Sequence, residues 1–387
     1  MNSFEVKGWC PGALRPMPSG DGLVVRVRPH ASRLSSEQAT GIADAARAFG
    51  NGWMDLSSRA NLQIRGVTEK SYQGLIAALN ALGLIDGDVH AEARRNILVT
   101  PFWRSGDESD VIAQALESAL SNATIELPSK FGFAVDCGAE RVLSGASADV
   151  RIERGADGGI IVRADGAAAG RDVSIDAAVP AAVALAEWFA TCGGVADGRG
   201  RMAAHIGHCA GLPDVLAGNV TPAATAHQAA PGLSAEGALV GLAFGQMHAE
   251  TLHALAQLGS GLRLTPWRML LIEDATAMPV NAHLITQYDD ALLRVVACTG
   301  APGCPQARGE TRGLARALAQ QIRPRETLHV SGCAKGCAHP ARASFTLVAS
   351  GAGYDLIRDG RPGDAPLVCG LTAAALSDSR LNFLGDR

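Results

Sequence analysis

Four cysteines near the carboxyl end carry the clearest chemistry of the chain. They stand in Ala297-Cys298-Thr-Gly-Ala-Pro-Gly-Cys304-Pro305 and in Ser331-Gly-Cys333-Ala-Lys335-Gly-Cys337-Ala-His339-Pro340. The first pair is a C-x5-C and the second a C-x3-C, with 28 residues between them. Glycine and proline turns let a backbone wrap closely round a bound group, so thiolates presented this way suit a soft metal centre. Five intervening residues is wide for a zinc knuckle, whose paired ligands usually stand about two to four apart. An iron–sulfur cube is larger and accepts the wider spacing. The reading is a four-thiolate [4Fe–4S] cluster on Cys298, Cys304, Cys333 and Cys337, with structural zinc and unrelated core cysteines as alternatives. Lys335, between two of these cysteines, is placed to tune the cluster or offset its charge. Cys137, Cys192, Cys209 and Cys369 read as small buried hydrophobes, and Cys10, in a Pro-Gly turn, is a further site candidate.

A chain of 387 residues has the length for two or three domains with sizeable cores. Nine cysteines is an odd number in a chain too long to need stapling, which argues against a disulfide framework and for a reducing cytoplasm. A net charge of −4 offers nucleic acid or an anionic membrane no global attraction. An acidic ligand must therefore be met by locally clustered Arg and Lys. Residues 1–30 carry no basic-then-apolar leader, and the most apolar helix, around Ala177 to Ala190, is interrupted by Glu187 and too short to span a bilayer.

The elements that must position these residues follow from periodicity. Leu23 to Val27 alternates as a strand. Ser35/Ser36-Glu37 then caps a helix with apolar Ile42, Ala45, Ala46 and Phe49 on one face. A strand through Asn61–Arg65 and a helix from about Glu69 to Leu82 complete half of a ferredoxin-like fold. After Arg94-Arg95-Asn96 a second unit begins. It has a helix near Asp110–Leu120, a strand at Lys130–Val135, a hairpin (Asp149–Glu153, Ile160–Arg163) and a helix at Pro180–Thr191. Gly193 to Gly232 is Gly/Ala/Pro-rich and reads as a linker. The chain then repeats itself. Phe49–Arg59 lines up with Leu258–Arg268 at an offset of 209, and Arg154–Gly166 with Ala349–Gly360. The cysteines have no counterpart in the first copy, so two related halves share a single cluster.

Paired ferredoxin-like units, each followed by an α/β unit, with the cysteine pairs in the second, resemble the sirohaem sulfite and nitrite reductase superfamily over nearly the whole chain. The resemblance implies an α+β, pseudo-two-fold fold with two α/β units built on mixed sheets. It places ferredoxin-like half-domains at 1–85 and 216–285, an α/β domain at 86–215 and the cluster-bearing α/β domain at 286–387. It also implies that Arg59, Asn61, Gln63 and Arg65 lie on the strand that grips a tetrapyrrole. Arg95 and Lys130 are expected at the reacting centre as well as against the substrate, and Arg268 joins the substrate-facing set. Bidentate arginine–carboxylate pairs are a natural way to orient a macrocycle bearing many acidic arms.

One departure stands out. The reductases carry a second lysine two residues after Lys130, where this chain has Gly132. Losing a proton donor weakens the case for sulfite chemistry. The stretch Gly332–Pro340 and the N-terminal Cys10-Pro-Gly…Pro16-Met17…Gly20-Asp21-Gly22 resemble instead the oxygen-dependent monooxygenase branch of aerobic cobalamin biosynthesis. That resemblance implies hydroxylation of precorrin-3A at C20 with γ-lactone closure, O2 as co-substrate, an external electron donor working through the cluster, and a monomer in the cytoplasm. A sirohaem-dependent sulfite or nitrite reductase is the alternative. The branch adds a mononuclear non-haem iron as a candidate cofactor, usually held by two His and a carboxylate. His205, His208, His248, His253 and His283 are the residues available for it.

Overall fold

The computed structural model describes residues 11–208, 211–227 and 229–378, so the readings placed on Cys10 and Cys209 fall outside the described residues. The first helix, Ser36–Phe49, starts where Ser35 accepts from the Gln38 amide while the Gln38 side chain accepts from the Ser35 amide, a capping box. The next helix, Glu69–Ala81, opens on the same device built from Thr68 and Ser71. The first was legible from its cap and its 3.6-residue period.

The described residues form four five-stranded sheets. The first runs Met17–Ser19, Gly22–Val27, Leu62–Val67, Trp53–Leu56 and then Gln246–His248, which comes from the second half of the chain. Its counterpart runs Gly232–Ser234, Gly237–Gly241, Met269–Glu273, Leu262–Leu264 and then Arg33–Leu34, from the first half. Each half thus lends the other an antiparallel edge strand. Side chains alternate between the faces of a strand. Val25, Ile64, Met54, Val240, Leu270 and Ile272 point into one core shared by both sheets and the helices beneath them. The opposite face of the first sheet is polar, with Arg26 and Asp55 both paired in register with Gln63, and Gln246 with Asp55.

The internal repeat is real in the hairpins, but its offset is 208 rather than 209. The Ser57 amide donates to the Asn61 carbonyl (2.9 Å) as Thr265 donates to Met269 (3.1 Å). The amides of Arg59 and Trp267 reach the hydroxyls of Ser57 and Thr265 in the same way. The positive-φ residue of each turn is Ala60 (51°) and Arg268 (62°). Arg268 therefore occupies the place of Ala60, and Trp267 that of Arg59. The glycine connectors that suggested the offset differ by one residue in length, which moved the alignment to the wrong strand face.

The two remaining sheets also correspond. Ile97–Val99, Phe133–Asp136 and Val150–Arg154 are parallel neighbours followed by antiparallel Ile160–Ala164 and Arg171–Val173. Val295–Ala297, Leu328–Ser331, Ala343–Ser350, Gly353–Gly360 and Val368–Leu371 repeat that order. The 193–232 stretch, expected as a linker, is not free. It carries a short helix, Met202–His208, and bridges back onto the second unit through Val220 to Gly170, Pro222 to Gly155 and Thr225 to Arg141. No helix among the described residues is long and apolar enough to cross a membrane.

Asp136, at the end of its strand, is 2% exposed and accepts from the Leu143 amide at 2.7 Å. Burial pushes its carboxyl up to about 6; the Leu143 and Val142 amides oppose the rise, Glu153 adds to it and Arg141 opposes it. A carboxyl raised by folding favours the native state while protonated. Its contribution is full below about pH 4 and is lost as pH rises through about 6. Against Asp136→Asn, the wild type should lose about 3 kcal/mol of stability across that window, measured by urea unfolding at several pH values. Parallel stability curves for the two proteins would refute this.

Candidate functional site

The cysteine loops leave the carboxyl ends of two parallel strands. Cys298 follows Val295–Ala297, its amide bonded to the Val330 carbonyl at 3.0 Å, and the Cys304 amide turns back onto Gly300 at 2.7 Å. Cys333 follows Leu328–Ser331, and the Ser331 hydroxyl donates to its carbonyl at 2.7 Å. The Cys298 sulfur lies 3.5 Å from the Ser331 hydroxyl and 3.6 Å from His329 Nε2. His329 is fully buried, and burial holds its imidazole down to about 3, with His339 and Arg268 adding to the effect. The Cys337 thiol is pushed up by burial first. Cys298 adds to the rise, Lys335 opposes it, and Cys333 and Cys304 add further.

The four cysteines therefore act on one another across a shared space. Among the described residues no three His, Cys, Asp or Glu are placed to hold a single metal ion. Four thiolates presented from glycine-rich loops fit the donor set of an iron–sulfur cluster.

Arginines from the paired half-domains hold both loops. The Gly303 carbonyl, next to Cys304, accepts from Arg65 Nη2 (2.8 Å), Ser19 Oγ (2.5 Å) and the Gly20 amide (3.2 Å). A Cβ at Gly20 would strike the Pro302 carbonyl, so the close approach needs glycine. Asp21 takes the Nε and Nη2 of Arg65 at 3.1 and 2.7 Å, and Asp55 stands 3.7 Å from its Nη1. Asp55 also accepts from Arg312 at 2.7 Å. Arg268 donates to the Ala338 carbonyl at 3.0 Å, beside Cys337. Burial lowers its pKa, with Arg312 adding and Cys298 and Asp55 opposing.

These contacts revise three expectations. Arg65 and Arg268, expected against a substrate, are bound to the cysteine loops. Arg95, expected at the reacting centre, is 4% exposed and gives Nε and Nη2 to Asp86 (2.7 and 2.9 Å) and Nη2 to the Arg28 carbonyl. Its partners lie outside the motif that suggested a ligand role, so the motif alone could not show that the charge was already met. Asn61 is buried, and Gln63 sits part-exposed on the polar sheet face.

Arg59 and Lys130 do come together: Arg59 Nη1 donates to the Lys130 carbonyl at 3.0 Å, while the lysine side chain is exposed. Gly132 also has a local reason, since a Cβ there would meet Asn96 Nδ2 at 2.6 Å. Of the five histidines, two share a cavity, although no group of three ligands placed to hold a metal ion is found among the described residues. His205 packs on Trp188 and Phe189, and His208 bonds the Ala204 carbonyl. His253 belongs to the helix Ala249–Ala256. His248 and His283 line one cavity of about 410 Å³ with Glu250. Of the cysteines read as buried, Cys137 is so, but Cys192 at a helix end and Cys369 on an edge strand are exposed. Sequence reasoning missed Arg312, Arg199 and Arg201. The last two stood in plain view as Arg-Gly-Arg, in a stretch set aside as a linker.

Comparison with known proteins agrees with this architecture. The nitrite/sulfite reductase ferredoxin-like half domain matches residues 15–82. The structure of Mycobacterium tuberculosis NirA protein superposes with a TM-score of 0.66 at 18% identity, covering 92% of this chain and 79% of that one. A precorrin-3B synthase from Sinorhizobium is 30% identical over 402 residues, covering 93% of this chain and 84% of that protein. The fold is thus that of the nitrite and sulfite reductases, with oxidoreductase relatives. Within it, the chain belongs to the precorrin-3B synthase family.

Two substitutions test the site. Cys304→Ser should yield protein with much less bound iron and sulfide after anaerobic reconstitution; full content would remove Cys304 from the cluster. Arg65→Lys keeps the charge but cannot serve both Asp21 and Gly303, so the midpoint potential and spin-resonance spectrum of the reduced cluster should shift in folded protein. A potential equal to wild type would reduce Arg65 to a bystander.

Proposed function

We propose that the chain is an O2-dependent monooxygenase that hydroxylates precorrin-3A at C20 while an acetate arm closes a γ-lactone. The observation that carries this reading is the 30% identity to a precorrin-3B synthase over 93% of the chain. The pair of cysteine loops with four thiolate donors supports it. Cys298, Cys304, Cys333 and Cys337 would hold a [4Fe–4S] cluster, which supplies single electrons from an external donor when bound. A mononuclear iron remains a candidate cofactor without an assigned ligand set.

The chain's own residues bind and orient. Arg59, fixed by its bonds to the Lys130 carbonyl and Ser147 hydroxyl, keeps a half-buried cation beside Lys130. Lys130 offers an exposed ammonium that can hold a carboxylate or pass a proton. Gln63 presents an amide on the polar face of the first sheet, beside Arg26 and Asp55. Gly132 removes the second lysine that sulfite chemistry would use, which favours a large polyacid over a small dianion. The protein is read as a cytoplasmic monomer.

Reconstituted protein given precorrin-3A, reductant and isotopically labelled O2 should place one labelled oxygen in the macrocycle, seen by mass spectrometry. Consumption of sulfite or nitrite with no label in the macrocycle would establish the reductase reading instead. Arg59→Ala should weaken macrocycle binding by roughly tenfold, the loss of one charge-assisted contact, and leave the cluster spectrum intact.

A further inference from the structure

Beside Lys130 a cavity of about 220 Å³ opens between the Pro128–Lys130 turn and the segment 198–201. Three of its lining residues are cations, Lys130, Arg199 and Arg201, and none is acidic. The volume is below the roughly 300–1,000 Å³ of pockets that enclose a whole small molecule. It suits an acidic arm rather than a ring.

The cavity is built rather than incidental. Arg201 gives Nε to Asp149 at 2.9 Å, and Nη2 to Ser147 Oγ and the Ala148 carbonyl at 3.0 and 3.1 Å, with 36% of its side chain still exposed. Asp149 is fully buried and also accepts from the Gly132 and Met202 amides, so the segment carrying Lys130 and the helix after Arg201 share one anchor. Asp197 and Gly198 form a two-residue turn with positive φ at both positions, closed by reciprocal bonds between Ala196 and Arg199 (2.8 and 2.9 Å). That turn fixes the backbone from which Arg199 projects. Arg199 and Lys130 are both exposed, and their side chains have no ion-pair or hydrogen-bond partner among the described residues. Arg59 adds a fourth cation by donating to the same Ser147 hydroxyl that Arg201 uses. Lys130, Arg199 and Arg201 thus line one pocket with no acidic residue in its wall, Asp149 pairing with Arg201 from behind, and a bound anion would relieve the repulsion among the cations.

We propose that Lys130, Arg199 and Arg201 form a carboxylate-binding subsite, and that it takes one acidic arm of the macrocycle. The first clause stands on this pocket alone; the second rests on the tetrapyrrole reading.

Two probes separate them, with Lys130→Ala and Arg199→Ala as variants on exposed positions that leave Asp149 paired. Succinate should bind wild type by calorimetry, more weakly as salt is added, and lose roughly tenfold in affinity in either variant. Arg199→Lys should recover part of the loss. Uroporphyrin III, followed by fluorescence quenching, should show the same loss in the two alanine variants. No succinate binding, or equal binding by all three proteins, overturns the subsite. Equal uroporphyrin affinity in all three overturns the assignment of an acidic arm while leaving tetrapyrrole binding intact. Succinate binding that the variants abolish, with no uroporphyrin binding to wild type, upholds the anion subsite and removes the macrocycle from it.

Discussion

Glu273 holds the halves of this molecule together. Arg33 of the first half and Arg263 of the second sit directly opposite in the exchanged ladder, where two like charges would repel. The Glu273 carboxylate lies between them, 2.7 Å from Arg33 Nη2 and 2.6 Å from Arg263 Nε. Burial would raise its pKa, but the two guanidinia outweigh burial and hold it below the usual carboxylate range. Arg263 continues to the Pro101 and Trp103 carbonyls and lies over the Trp103 ring at 4.0 Å, which ties in the second unit. Removing Glu273 would leave the buried Arg263 without its carboxylate and set two like charges face to face. The strand exchange holds because that charge is met.

Once the edge strands are exchanged, the side-chain period of two decides the rest. One face of each paired sheet is spent on the common core, so what the other face carries must meet a neighbouring unit or solvent. On the first sheet that face carries Asp55, which collects Arg65 and Arg312, and Arg65 in turn reaches the Gly303 carbonyl. The cluster loop is therefore positioned by the sheet's polar face as well as by its own strands. A carbonyl that accepts from a guanidinium, a hydroxyl and an amide at once has little freedom, and neither does the cysteine after it.

How far the sequence could be read follows from the range of each interaction. The helix at Ser36–Phe49 announced itself because its cap and its apolar period are local. The cysteine loops did so because their spacing and glycines are local. The fates of Arg65, Arg95 and Arg268 were set by Asp21, Asp86 and the Ala338 carbonyl, groups that no local pattern pairs with them. An arginine motif reports that a cation is present, not who has already claimed it. The repeat offset failed for a related reason: a glycine pattern aligns connectors, whereas the strand face depends on a register the connectors do not fix.

The repeat also shows where the first half lacks counterparts of the cysteines. The Thr100 amide bonds the Val135 carbonyl at 2.8 Å, as the Cys298 amide bonds that of Val330, so Thr100 is the structural twin of the first cluster cysteine. The register of the following strands, with Phe133 and Leu328 as equivalent starts, places Gly138 opposite Cys333. The one cysteine nearby, Cys137, falls a position early and is buried, with its thiol pushed up to about 12 by burial, which suits packing and not metal ligation. The first half shares the scaffold but not the thiolates. Its corresponding segment before the strand carries Lys130, and the chain after its last helix folds back as Arg199 and Arg201 to meet it. Two copies of one architecture can thus divide the labour. On the readings proposed above, one would hold a cluster while the other would supply positive charge for an acid.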